Sequence, residues 1–334
     1  YNIIINKMND FNLKMGPHDV GGEDSISIDI NDHEMTHFEK FANALRIVVS
    51  SKRIITLDEL RYHTEKLGDD YFKIDYFERN CLSLHKICLE KNIYDLELFN
   101  HVKNKKKSDF QIPIIDLPDT SEIHHLHDGK EHTHEQDDFQ ENETGEGPPD
   151  YYFDTLAIAE IMINLGLISN DDITLKIEQF DNVFPNRGKA VVAKAWYDNA
   201  FRDFLIKDAK NAIKEIGIEL ETFADIICMP QNNQTHHLVV CTLCSCYPRT
   251  LLGMPPSWYK SRSYRSRVVY EPRKVLFEFG TIVPEDKEIK VHDSNADMRY
   301  LILPPRPSNT DKFTEKQLTD LVRRDYLVGV RLPG

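Results

Sequence analysis

The sequence predicts an α+β protein in three parts: an N-terminal all-helical block over 15–104, a disordered linker over 105–150, and a domain over 151–334 that begins with helices and ends in a layered, β-rich part. Three observations carry this. Apolar residues recur at helical spacing in the first hundred residues and again from Tyr151 to near Gly217. Between these stretches lies a histidine- and acid-rich tract without apolar periodicity. Beyond Gly217 the texture changes to short, branched, proline-bounded runs.

The first block follows an extension of residues 1–14 and opens on a Gly-rich arm, MGPHDVGG, residues 15–22. In HFEKFANALRIVVSSK, Phe38, Phe41, Leu45 and Val48 share one helix face. Thr56 and Glu59 in TLDELRYH have the spacing of a capping box, so a helix carrying Arg61 starts there. A further helix is expected through DYFERNCLSLHKICLEKN and a short one through DLELFNHV. Then KNKKKSDFQIPIIDLPDT gives way to a tract holding His124, His125, His127, His132 and His134 and closing on Pro-Pro. So few apolar groups cannot offset chain entropy, which predicts a disordered tether. The other reading is a metal-handling tract, since neutral imidazoles bind borderline transition metals.

The second block opens with YFDTLAIAEIMINLG, an apolar helix closed by Gly166. Helices continue to near Gly217, and ADIICMP, HHLVVCTL, SRVVYEP, EIKVHDS and RYLILPP then read as strands.

Composition narrows the class. A chain of 334 residues holds two medium domains or one large one, and 40% hydrophobic with 29% charged residues suits a soluble globular protein. No run approaches the ~20 apolar residues of a membrane span, and no secretory leader is visible at Tyr1. The formal net charge of −14 speaks against broad nucleic-acid binding. Six cysteines do not make a disulfide scaffold in a chain of this length, which points to a reducing, cytoplasmic setting.

Cys241, Cys244 and Cys246 crowd into HHLVVCTLCSCYPR, just after an expected strand. Structural zinc sites use two separated ligand pairs, and no second CxxC exists here. A redox CxxC fits the third cysteine poorly. If Cys244 and Cys246 bind one ion, the main-chain nitrogens of Ser245 and Cys246 are carried to it, closing small chelate rings. The set is then planar N2S2 with Cys241 axial, and deprotonated amides demand a trivalent low-spin iron or cobalt. One position stays open for Lewis-acid chemistry.

VVCTLCSCYPR, followed by LLGMPPSWYKSRSYRSRVVYEPRKVLFEFG, DMRYLILPPRP and LVRRDYLVGVRLP, resembles the metal-binding α subunit of nitrile hydratases over 151–334. HDVGG, LDELRYHTEKL and DYFERN resemble, more briefly, the N-terminal helical half of that family's β subunit. The chain thus resembles a β-then-α fusion joined by the His-rich tether. The resemblance implies one Co(III) per chain, with Fe(III) the alternative, held by the thiolates of Cys241, Cys244 and Cys246 and by the nitrogens of Ser245 and Cys246. It implies Cys244 as sulfinate and Cys246 as sulfenate, and Thr242, where other members have Ser, points to cobalt. The catalytic residues it implies are Cys246, Arg61 and Tyr76. Arg61 matches an arginine that hydrogen-bonds the oxidised sulfurs, a task suited to a permanent forked cation. Tyr76 matches a pocket tyrosine for proton movement or substrate orientation. Read in isolation, Arg61 is a solvated helix arginine and Tyr76 a core aromatic.

The sequence also departs from the family. The stretch between 104 and 150 holds none of the small β-barrel that completes the β subunit and normally supplies a second arginine. The expected partners are therefore a small-molecule nitrile and either further copies of this chain or a subunit supplying that barrel. Arg249 stands where a pocket Trp is common after CYP, and Asn80 where an aromatic is usual. Trp258 and Tyr259 fit a pocket wall or a core turn equally well. Arg265 and Arg267 read as strand residues in a subunit-interface salt bridge. The implied activity is hydration of a nitrile to its amide. The alternatives are a thiocyanate hydrolase-like subunit, with Arg249 favouring an anion, and a metal-loaded, non-catalytic assembly subunit.

Overall fold

Thr36 starts helix α1 (His37–Ser51) with a closed capping box: its hydroxyl accepts from the Glu39 amide while the Glu39 carboxylate accepts from the Thr36 amide. Thr56 and Glu59 repeat the device at the head of α2 (Leu57–Glu65), which carries Arg61 as the spacing predicts. Asp75 caps α3 (Tyr76–Glu90) and Asp95 caps α4 (Leu96–Asp109). Helix α5 (Asp150–Asn164) ends at Gly166, whose φ of +68° is the left-handed geometry expected of it.

The computed structural model describes residues 14–110, 125–127, 130–132, 148–220, 222 and 224–333. They divide into two units, Thr36–Thr64 with Asp75–Asn170, and Tyr1–Met35 with Glu65–Ile74 and Asp171–Gly334. In the first, α1, α3 and α5 pack on one another and α4 lies along α5, around Leu45, Val49, Leu84, Ile87, Ile158 and Met162. Helix α4 outruns the short helix expected and occupies the first residues of the expected linker. Three lysines of its last two turns are met by α5: Lys103 pairs with Asp154 at 2.5 Å, Lys107 with Asp150 at 2.5 Å, and Lys106 with Glu160. Of the tether itself, 125–127 and 130–132 form a short antiparallel pair, β1 (His125–His127) and β2 (Lys130–His132). The remainder, with His124 and His134, lies outside the described residues.

The second unit carries the cysteine cluster. Helices α6 (Asn170–Glu178), α7 (Phe184–Tyr197), α8 (Asn199–Lys207) and α9 (Ala209–Glu215) precede two parallel strand pairs. β3 (Asp225–Pro230) pairs with β6 (Met298–Leu303), and β4 (Thr235–Val240) with β5 (Glu288–Asp293). Every residue of β4 is buried, as a parallel strand covered on both faces requires. Val191, Leu205, Leu238, Val240, Leu301 and Ile302 share its core.

SRVVYEP is not a strand. Ser261 caps α12 (Arg262–Arg267), which follows the short helices α10 (Arg249–Leu252) and α11 (Ser257–Lys260), and Pro272 opens α13 (Pro272–Glu278). Between them Val268 is buried and Val269 is 37% exposed, so the alternation that mimics a strand belongs to a turn between two helices. Helices α14 (Glu315–Leu321) and α15 (Arg324–Val328) close the chain. No helix among the described residues is long and apolar enough to cross a membrane.

Candidate metal centre

β4 delivers Cys241 from a buried strand directly into the loop. Its Sγ lies 3.4 Å from that of Cys244, and Cys244 Sγ lies 3.3 Å from that of Cys246. These separations are far above the ~2.05 Å of a disulfide, and all six cysteines are free. The three sulfurs lie within 4.8 Å of one another, the one group of potential metal ligands of this kind among the described residues. Cys241 and Cys246 are buried and Cys244 is half-buried, so the cluster is seated in the fold with one side open.

Thiols packed this closely resist ionising together. Hydrogen bonds from Cys244 and Cys246, with burial, hold Cys241 well above the usual thiol range. For Cys246 the bond to Cys241 pulls downward, but Cys244 and burial prevail and push the thiol to about 11. A multivalent cation reverses this preference, because thiolate ligation releases the protons. The remaining cysteines contrast with the cluster: burial lifts Cys81, Cys88 and Cys228 each to about 12, and none of them belongs to a group of three potential metal ligands among the described residues. A convergent, sulfur-rich donor set fits a soft or borderline transition ion. Cys241, Cys244 and Cys246 would hold it, with Ser245 between the last two.

Five side chains hold the loop and the strand that leads into it. Tyr259, on α11, donates its hydroxyl to the Cys246 carbonyl at 2.9 Å, and Tyr264 donates to Val239 O at 2.6 Å. Asp293, at the end of β5, accepts from the Thr242 amide at 3.0 Å and its hydroxyl at 2.5 Å. Partial desolvation pushes the Asp293 carboxyl above its ordinary value, outweighing the Thr242 bonds, although the residue as a whole remains exposed. Arg265, 1% exposed, donates to the carbonyls of Cys241 and Thr242. Arg249 Nη2 reaches Ser245 Oγ at 3.2 Å.

Several of these roles escaped the sequence reading. Arg265 and Arg267 lie on a helix, and Arg267 is bound within the chain to Glu271 and Glu278 at 2.5 Å each; Arg265 serves the loop. Tyr259 is fully buried against the loop, and Trp258 packs in the core against Tyr264 and Phe279. Asp293 had no signal beyond its place at the end of a predicted strand. Arg61 is half-buried on α2 and Tyr76 half-buried at the head of α3, both in the helical unit. There the Arg79 guanidinium lies 5.9 Å from the Tyr76 ring centre, and Asn80 turns back to bond the Tyr76 carbonyl at 2.6 Å.

Residues 150–331 match the family model described as nitrile hydratase, alpha chain. The chain belongs to the nitrile hydratase family. A second match, nitrile hydratase beta subunit, N-terminal, covers residues 15–135, so parts of two nitrile hydratase subunits stand in one chain in the order β then α. The low-molecular weight cobalt-containing nitrile hydratase subunit alpha of Rhodococcus rhodochrous is 45% identical over 178 residues, 53% of this chain and 86% of that one. The thiocyanate hydrolase subunit gamma of Thiobacillus thioparus is 39% identical over 189 residues, 53% of this chain and 78% of that one. Among solved structures, a double mutant of the Fe-type nitrile hydratase from Comamonas testosteroni Ni1 aligns with a TM-score of 0.51 at 34% identity, covering 53% of this chain and 87% of that one. Cobalt-containing and Fe-type nitrile hydratases, and a thiocyanate hydrolase, are thus all similar to the part of this chain that bears the three-cysteine claw, Cys241 to Cys246.

Proposed function

We propose that this chain hydrates a nitrile to the corresponding amide, R–C≡N + H2O → R–C(O)NH2, at a non-corrin Co(III) centre in an oxidised CTLCSC loop. The carrying observation is the claw itself, three sulfurs within 4.8 Å in a chain of the nitrile hydratase family. Cobalt is preferred to iron on Thr242 and on the cobalt-containing relatives. A bound trivalent ion supplies Lewis acidity.

The chain's own residues do the rest in this reading. Cys246 as sulfenate stands on the first, reversible rung of thiol oxidation and Cys244 as sulfinate on the second, irreversible one. The Cys246 oxygen, or a water it activates, attacks the nitrile carbon. Arg61 holds the oxidised sulfurs through its forked donors and Tyr76 moves the proton toward the developing amide nitrogen. These two assignments rest on the resemblance. Further copies of this chain or a separate barrel-bearing subunit complete the assembly.

Purified protein with metal bound and oxidised cysteines, supplied with partner subunits, is expected to form amide from simple uncharged nitriles. Loaded protein that makes none sinks this reading. One observation favours a second: the Arg249 guanidinium stands beside Ser245 of the claw, a fixed cation that suits an anionic substrate such as thiocyanate. Relative turnover of thiocyanate and an uncharged nitrile separates the two. Bound metal with oxidised sulfurs and no turnover of either indicates the non-catalytic assembly role.

A further inference from the structure

Arg265 has an unusual environment for a buried cation. It is 1% exposed, yet no carboxylate among the described residues lies within ion-pair distance of it. Its hydrogen bonds go to main-chain carbonyls: Nε to Cys241 O at 3.2 Å, and Nη2 to both Thr242 O and His18 O at 2.7 Å. A buried charge is costly unless its donors are satisfied. Here satisfaction needs two segments more than two hundred residues apart, the HDVGG arm and the claw, and one nitrogen serves both.

The arm makes two further contacts beside this one. The Gly22 amide donates to Ser266 O at 2.9 Å. Gly21 faces Thr242 so closely that a Cβ placed there would sit 3.1 Å from Thr242 Cγ2. The arm therefore lies on the claw's second residue, on the strength of having no side chain at that point.

Resting on the reading of the claw as a metal site, we propose that Arg265 couples the HDVGG arm to the claw, so that arm docking and ion retention stabilise each other. The physical reasons are two. If the arm lifts, Arg265 loses one of its carbonyl acceptors and the Cys241–Thr242 segment loses a rigid support. If the claw loses its ion, the loop loses the anchor on its side chains, and the Cys241 and Thr242 carbonyls that Arg265 binds are free to shift. Such coupling is reciprocal by thermodynamic necessity. Arg265 is thus a positioning residue, acting on the ion through the main chain of its ligand loop.

The test compares hydrogen exchange of the arm, followed at the Gly22 amide, in metal-loaded and chelator-stripped full-length protein, alongside the rate of metal release to chelator. In the wild type, stripping is expected to speed arm exchange about ten-fold. In Arg265→Gln and Arg265→Lys, metal release should quicken by about the same factor and arm exchange should cease to depend on metal. Lysine retains the charge but cannot fork between both segments. Gly21→Val approaches the coupling from the other side, crowding Thr242 with Arg265 intact, and should also quicken metal release. Should the Arg265 variants fail to fold, Gly21→Val decides alone. Metal-dependent arm protection that persists in both Arg265 variants, or unchanged metal release in Gly21→Val, overturns the proposal. A loaded protein that turns over no nitrile overturns only the hydratase reading, because neither readout involves turnover. A wild type that takes up no ion overturns the claw reading and the coupling with it.

Discussion

Asp293 holds Thr242 by two hydrogen bonds, one from its amide at 3.0 Å and one from its hydroxyl at 2.5 Å. The pair joins the last residue of β5 to the residue after the first cysteine, so the sheet itself orients the claw. Groups that orient a ligand loop commonly matter to metal affinity by about 10–100-fold. Asp293→Ala is expected to lower metal retention against a competing chelator by that range. Thr242→Ser, which keeps the hydroxyl, should retain most of it. Equal retention in Asp293→Ala and wild type would remove Asp293 from the site.

Cys246→Ser should abolish stoichiometric metal binding and, with it, amide formation. Cys228→Ala alters a similarly buried thiol on β3 outside the three-cysteine group, and should leave metal content unchanged. Elemental analysis per chain, with mass spectrometry of the loop peptide for the Cys244 and Cys246 oxidation states, reads both. Parallel losses in the two variants would mean that burial, not ligation, is what matters at Cys246.

His237 and His292 hydrogen-bond ring to ring at 2.8 Å across β4 and β5. Burial lowers both, His292 to about 4 with a further push from His237. A histidine depressed in the fold favours folding when neutral. Its contribution is therefore complete above the unfolded value near 6.5, and is lost as pH falls through that value toward 4. Since His292 is only half-buried, about 1–2 kcal/mol is expected after allowance for solvent. Denaturant midpoints between pH 7 and pH 4 should fall less steeply in His292→Gln than in wild type. Identical slopes would rule the pair out as a source of acid sensitivity.

Arg249 is the cation beside Ser245. Arg249→Gln removes the charge and should lower turnover of thiocyanate relative to a neutral nitrile by about ten-fold, the size of one screened charge contact at a few ångströms. The ratio of kcat/KM values for the two substrates is the measurement. A ratio that stays constant would leave Arg249 a structural arginine.

Gly188 on α7 meets α10 so closely that a Cβ would fall 2.3 Å from Leu252 Cδ2 and 3.0 Å from Leu251 O. Gly188→Ala is expected to destabilise the protein by about 1–3 kcal/mol through overpacking, against its favourable helix propensity. Thermal unfolding checks this. A rise in Tm would show that α10 yields freely, and that the loop after the claw is softer than its packing suggests.

Much of this architecture was legible because its signals are local. The Thr56–Glu59 box, the Gly166 stop and the branched, proline-bounded runs at β3 to β6 each depend on a few neighbouring residues. The VV of SRVVYEP misled because one valine is buried and the next exposed for a reason outside the segment, the packing of a turn between α12 and α13. Helix α4 outran its expected length because the charges that satisfy its lysines are on α5, more than forty residues away.

The sequence by itself determined that three sulfurs would gather, since spacing along a short loop limits how far apart Cys241, Cys244 and Cys246 can stand. It also set the caps that start the helices and the apolar runs that form the buried strands. Only the tertiary structure decided what holds the loop: a carboxylate from β5, a tyrosine from α11, and an arginine from α12 that also binds the arm. Those groups are remote in sequence, and their hydrogen bonds exist only once the strands and helices that carry them are packed, so no local pattern could have announced them.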